Sequence, residues 1–234
     1  MNKNFLLSIF LFVIVSISGI CSVTNDSSAK PLQTGPTKDY QVLFTGKEWH
    51  NLYTAIKGDQ FLFSKDFVPG TVSINGKTYI DISLNYDIFN DEILIPANKG
   101  IILQLNKEIV DSFTLGFDNK IYKFFNTDRD SLENIKGFVK VLYEGKSRLY
   151  VKYKKEIQPL AVEDKYDLFF RTYRVYFVKG GSVNQISSKN ELLKVLNDQK
   201  VQIKDFMKKN KTKVSKKDPE SFIPVIRYYD SLSQ

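Results

Sequence analysis

Hydrophobic and polar positions alternate through most of residues 40–186, and that alternation predicts β-strands. "YQVLF" from Tyr40 opens the pattern, and "QFLFS" follows it. In "GTVSINGKTYIDISL" two alternating runs flank Asn75-Gly76, a dipeptide that accepts positive φ at both central positions of a tight hairpin turn. Ile80, Ile82 and Leu84 lie two apart on the return arm, so they are expected to share one face. "NYDIF", "EILIPA", "GIILQL", "IVDSFTL" and "KIYKFF" come next, separated by short polar or glycine-containing turns. After a polar break at 126–136, "GFVKVLYEGKSRLYVKYKKEI" predicts a second hairpin that turns at Glu144-Gly145. "DLFFRTYRVYFV" and "SVNQI" predict two further strands joined by Lys179-Gly180-Gly181. Short strands at such regular spacing predict an antiparallel β-meander, either an open barrel or a sandwich.

The period changes at Ser187. In "SKNELLKVL", Ser188 is placed to cap a helix and Glu191 to complete a capping box, with Leu192, Leu193 and Leu196 as the apolar stripe. Val201, Ile203, Phe206 and Met207 continue a helical pattern beyond Asn197-Asp198. After the basic connector "KKNKTKVSKKD", a last helix carries Phe222, Val225, Ile226, Tyr229 and Leu232. Pro224 fits only its first turn, where N–H groups lack intrahelical partners, so a start near Ser221 is favoured over Pro219. The expected fold class is therefore α+β, mainly β: an antiparallel β domain over 40–186 and a C-terminal helical pair over 187–234. Two isolated amphipathic helices bury little apolar surface, which favours packing on the sheet over a free appendage.

The N-terminus has a different character. Lys3 precedes an apolar run from Phe5 to Ile20, and a polar stretch follows, which is the order of a signal peptide over residues 1–21. The run is shorter than the ~20 residues of a spanning helix, which favours cleavage over a retained anchor. Ser18, Cys21 and Ala29 are the possible cleavage points. Cys21 follows the bulky Ile20, which argues against lipidation. It is the one cysteine, so no intramolecular disulfide is available. Residues 22–39, rich in Ser, Thr, Lys, Pro and Gly, read as a disordered linker. The chain is thus expected to be exported, to the periplasm or cell surface, with no transmembrane span once the signal is removed.

The formal charge of +8 then changes meaning. For an exported chain it points to an anionic envelope glycan, lipid head groups or an acidic envelope protein rather than to nucleic acid. The alternative is that lysines keep a β-rich protein soluble and guard its edges. In "KSRLYVKYKKEI", Lys146, Arg148, Lys152 and Lys154 fall on one strand face and Tyr153 on the other. They form either a cationic strip or an ordinary solvated face. Trp49 and Tyr53, with Tyr79, are candidates for a sugar-stacking surface.

Reactive chemistry is sparse. His50 is the only histidine, and no nucleophile elbow, zinc helix or phosphate loop accompanies it. No catalytic residue, metal ligand or cofactor site is predicted. "NYDIFNDEIL" gathers Asp87, Asp91 and Glu92, but it lacks the spacing and glycine of a calcium loop. Asn90-Asp91 between alternating apolar residues predicts a reverse turn instead. A pair of strand-borne acids remains compatible with glycoside hydrolysis.

Three segments, "GTVSINGKTYIDISLNYDIFNDEILI", "GFVKVLYEGKSRLYVKYKKEI" and "SSKNELLKVLNDQKVQIKDFMKKNKTKV" with its "IRYYDSL" end, resemble a family of exported, uncharacterised β-rich proteins of Bacteroidota. The resemblance implies export and a β-rich fold. The family carries no established activity, so no functional residue transfers. The function expected is non-catalytic binding or assembly in the envelope, with a carboxylate-dependent glycan hydrolase as the alternative.

Overall fold

A computed structural model describes residues 40–130, 132 and 134–232; the expected signal peptide, Cys21 and the linker lie outside them. Eleven strands form one sheet: β1 (Lys47–Glu48), β2 (Val68–Ile74), β3 (Lys77–Asp87), β4 (Glu92–Pro96), β5 (Ile102–Gln104), β6 (Val110–Phe117), β7 (Lys120–Asn126), β8 (Phe138–Glu144), β9 (Arg148–Val162), β10 (Tyr166–Lys179) and β11 (Ser182–Ile186). Every strand pairing is antiparallel, in the spatial order β1-β5-β4-β3-β2-β6-β7-β8-β9-β10-β11. The sheet is open, as one of the two expected forms required. Two meanders meet where β6 returns beside β2. Three helices follow: α1 (Lys189–Val195), α2 (Lys200–Lys209) and α3 (Ile223–Leu232). No helix among the described residues is long and apolar enough to cross a membrane.

The hairpins turn where the local sequence placed them. Asn75 and Gly76 adopt φ 48° and 79° between β2 and β3. Asp87 pairs with Glu92 around residues 88–91, and Asp91 has φ 63°. Ser188 Oγ caps α1 by accepting from the Glu191 N–H at 3.3 Å, while Glu191 reaches back to Ser187 rather than to Ser188. A 3-10 turn over Pro219–Phe222 leads into α3, and Pro224 sits in its first turn as sterics require.

Three expectations fail. Gln41–Phe44 is a 3-10 turn rather than a strand, because it tucks Leu43 fully into the core. "QFLFS" makes only the single bridge Phe61↔Asp87, since β3 turns away after Asp87. Ile80 does not share a face with Ile82 and Leu84: it is 59 % exposed, whereas Tyr79 is buried. Gly70 pairs with Ile82 and Val72 with Tyr79, so Thr71 alone faces both Ile80 and Asp81. This is a β-bulge, with Asp81 at φ 55°. It moves the inward set from odd to even positions along β3, from Tyr79 before the bulge to Ile82 and Leu84 after it.

The core lies mainly on one face of the coiled sheet. At its N-terminal end Tyr86, Phe113, Phe124 and Phe138 pack ring on ring, with Phe113 and Phe124 stacked at 4.7 Å. Such pairs add about 0.5–1.5 kcal/mol beyond burial. Towards the C-terminal end Leu149, Val151, Val175 and Phe177 meet Leu192, Ile203, Phe222 and Ile226 of the helical layer. The helices therefore pack on the sheet. Buried Asp230 of α3 ties that layer to the β8–β9 turn, accepting from the Tyr143 hydroxyl (3.1 Å) and the Ser147 N–H (2.9 Å). A Cβ on Gly145 would stand 2.6 Å from an Asp230 carboxylate oxygen, so a larger residue there would push the Asp230 and Tyr143 side chains aside. The opposite face of β8–β10 is covered by Leu132 and Ile135 from the polar break.

The bulge makes a prediction. A β-branched side chain in the left-handed region clashes with its own backbone, so Asp81→Val is expected to cost about 1–2 kcal/mol. Asp81→Gly is expected to stay within about 0.5 kcal/mol. Urea midpoints of the two variants check this; equal midpoints would mean that Asp81 is not held at positive φ in solution.

Candidate functional site

The turn after β3 builds the centre of the molecule. Asp87 is fully buried and organises the turn by accepting from the N–H groups of Phe89 and Asn90, both at 2.9 Å. Its second oxygen accepts from the side-chain amides of Asn90 (2.8 Å) and Gln60 (3.2 Å). Asp91, four residues on, points into the structure instead. One carboxylate oxygen accepts from the Tyr86 hydroxyl (2.5 Å) and Lys152 Nζ (2.7 Å). The other accepts from Lys107 Nζ (2.5 Å) and the Phe138 N–H (3.3 Å). Gly137 makes room: a Cβ there would lie 1.7 Å from an Asp91 oxygen. Asp87, Asp91 and Glu92 thus serve a turn, as the Asn-Asp pair predicts, but one of them is also a buried ion hub.

Burial alone raises the Asp91 carboxyl, yet Lys152 and Lys107 outweigh it and hold the group below the ordinary carboxylate range. Burial lowers Lys152; Asp91 offsets this only partly, and Lys107 adds to the lowering. Tyr86 is raised well above its ordinary value by burial and by Asp91 beside it. The cluster is therefore a charged structural knot. Among the described residues no three or more His, Cys, Asp and Glu side chains gather in a metal-binding arrangement.

The predicted cationic strip is not assembled. Arg148 pairs with Asp130 at 2.9 Å, and Lys152 is committed to Asp91 and the Phe138 carbonyl. Lys154 is exposed and stands 3.6 Å from Glu156, while Lys146 lies in the exposed β8–β9 turn. The four do share strand parity or its extension, but the β3–β4 turn and the 127–137 segment cover the middle of that face.

Trp49 and Tyr53 are brought together. They line one cleft of about 260 Å³ with His50 and Leu52 on one wall. Glu48, Gln104, Asn90 and Glu92 supply its polar wall. The Tyr53 ring is set edge-on against Phe89 (4.9 Å) and Phe169 (5.8 Å), and its hydroxyl reaches Asn90 Oδ1 at 3.4 Å. Trp49 is fixed by its backbone N–H, which donates to the Ile102 carbonyl (2.8 Å), and by its ring against Phe61 (5.9 Å). Asn90 and Glu92 flank Asp91 in sequence, so the buried hub positions this wall. Burial and the nearby Asp87 charge raise the Glu92 carboxyl. His50 is exposed at the rim, 3.8 Å from Glu48. Tyr79, the third sugar-stacking candidate, is buried against Tyr40 instead. The roles of Asn90, Glu92 and Gln104 were not separable from ordinary strand and turn residues in the sequence, because the wall is assembled from three distant segments.

No protein-family model, curated protein or solved structure matches the chain. The resemblance to exported Bacteroidota proteins rests on the quoted segments alone.

Asp91 with its folded value depressed contributes stability that is complete above the unfolded carboxyl range (about 4) and lost as pH falls through the lower folded value. Asp91→Asn leaves partly buried Lys152 without a carboxylate partner and Lys107 with Asp128 alone at 3.4 Å, and is expected to cost on the order of 3 kcal/mol at neutral pH. The difference from the parent should shrink below about pH 4. Lys154→Ala should change stability by less than about 0.5 kcal/mol. Urea unfolding at several pH values reads all three; a pH-independent gap would refute the ion hub.

Proposed function

We propose that the chain is an exported, non-catalytic protein of the periplasm or cell surface that acts by binding, and that its ligand is a saccharide seated on Trp49 and Tyr53. The observation that carries this reading is the cleft itself. It sets two aromatic rings, each held by packing, beside a wall of amide and carboxyl groups. A sugar ring presents an apolar C–H face and a rim of hydroxyls. Aromatic faces suit the first, and side chains such as Asn90, Gln104 and Glu92 suit the second. Concave sites with apolar walls and a few convergent polar groups are the usual form of a small-ligand site.

One observation favours a second reading, a carboxylate-dependent glycan hydrolase. Glu48 and Glu92 line the same cleft, and the raised Glu92 carboxyl suits a general acid.

Trp49 is the only tryptophan, so its fluorescence reports on the cleft without interference. Titration with fragments of envelope polysaccharide should give a saturable change. Trp49→Ala and Tyr53→Ala should each weaken binding about tenfold or more by calorimetry, equivalent to ~1.4 kcal/mol. A panel that includes neutral and acidic fragments and leaves the emission unchanged would sink the binding reading. In the same panel, release of reducing ends that Glu92→Gln abolishes, with binding retained, would replace it by the hydrolase.

A further inference from the structure

A second groove lies where the N-terminal and C-terminal parts of the core meet, at Tyr153, which packs against both. Its volume is about 300 Å³. The rings of Phe63, Tyr122, Tyr153 and Tyr173 line it, with Arg171 and Lys217 beside them. It shares no lining residue with the Trp49 cleft. Its walls are fixed. Phe63 stacks on Phe117 at 4.2 Å and leans on Tyr122 at 4.7 Å. Tyr153 and Tyr173 pair edge-to-face at 5.9 Å. Lys140 lies 4.8 Å over the Tyr122 ring and is neutralised by Glu220 at 3.1 Å. The Tyr173 hydroxyl donates to the Lys216 carbonyl at 2.8 Å, which holds the basic connector against the rim.

Charge and hydrogen-bonding capacity remain unspent there. Arg171 gives one bond, from Nη1 to the Leu62 carbonyl at 3.2 Å, and among the described residues no carboxylate lies within ion-pair distance of Arg171 or Lys217. The Tyr122 and Tyr153 hydroxyls likewise have no hydrogen-bond partner among the described residues. The ligand that fits must offer a flat apolar face to the rings, hydroxyls to the phenols and a planar anion to a guanidinium fork. Arg matches a carboxylate in that bidentate manner, whereas Lys meets it as a point charge. A volume at the lower end of small-molecule sites suits one or two ring units rather than a folded partner.

We propose that the groove between Phe63, Tyr122, Tyr153 and Tyr173 binds an acidic saccharide, a sugar ring carrying a carboxylate, with the anion on Arg171. The site is distinct from the Trp49 cleft and stands whether or not that cleft binds a sugar. A galacturonic acid pentamer provides the probe. The mature chain is titrated calorimetrically with it, and with a neutral galactose pentamer, poly-glutamate and polyphosphate. The uronate is expected to bind saturably and the neutral oligomer at least tenfold more weakly. Arg171→Met and Tyr122→Ala are expected to lose at least tenfold in affinity, and Lys165→Met, a charge lost at the exposed β9–β10 turn, to lose none. Arg171→Lys retains the charge and removes the fork; it too should lose affinity, and it keeps the test open if Arg171→Met does not fold. Uronate affinity that survives Arg171→Lys overturns the proposal. So does poly-glutamate or polyphosphate binding as tightly as the uronate, which would indicate an acidic partner or bare charge attraction. Absence of uronate binding to the parent chain overturns it outright.

Discussion

An open sheet that coils must be held where its parts come back together without a continuous hydrogen-bond ladder, and here Asp91 does this. Lys140 of β8 pairs with Val151 of β9, and β8 begins only at Phe138, so β9 runs on towards Val162 without that neighbour. The turn at 88–91 fills the bared edge. The Lys155 N–H reaches the Ile88 carbonyl at 3.2 Å, and the Lys155 side chain pairs with Asp59 at 2.7 Å. Asp91 then gathers Tyr86 from β3, Lys107 from the chain before β6, the start of β8 and Lys152 of β9. Removing the acid would leave Lys152 without a carboxylate partner and Lys107 with Asp128 alone at 3.4 Å, and that asymmetry makes the contact hard to do without.

The same seam governs the surface. It takes Lys152 out of any cationic strip and fixes Asn90 and Glu92 in the wall of the Trp49 cleft. The positive charge left beside concave aromatic surface belongs to Arg171 and Lys217, on a strand and a connector that no local pattern links. The pairing of one basic group with a buried acid and the lack of a carboxylate beside another are thus two results of one way of coiling the sheet.

Local chemistry was sufficient for the turns and caps. Asn75-Gly76, Asn90-Asp91, Glu144-Gly145 and Gly180-Gly181 each act over a few residues, and Ser188 with Glu191 acts over one helical turn. The misread elements fail for longer-range reasons. Ile80 is displaced by a bulge whose cause is the register of β2 against β3. Gln41–Phe44 gives up its strand because Leu43 is needed in the core, and tertiary burial outweighs a weak β preference. The aromatic groove was invisible because Tyr122, Tyr153 and Tyr173 sit on three strands, and Phe63 on a segment outside the sheet.

By itself, then, the sequence determined the element type over most of the described chain, the positions of the hairpin turns, the change from β to helix at Ser187 and the pairing of Trp49 with Tyr53 as candidates. Those follow from period, turn chemistry and capping, which are properties of neighbours along the chain. The tertiary structure alone decided that Asp91 is buried between two lysines, that Arg148 and Lys152 are paired with carboxylates while Arg171 has only the Leu62 carbonyl, and where the two concave sites lie. Burial and charge pairing depend on which distant segments meet, and only the coiling of the sheet specifies that.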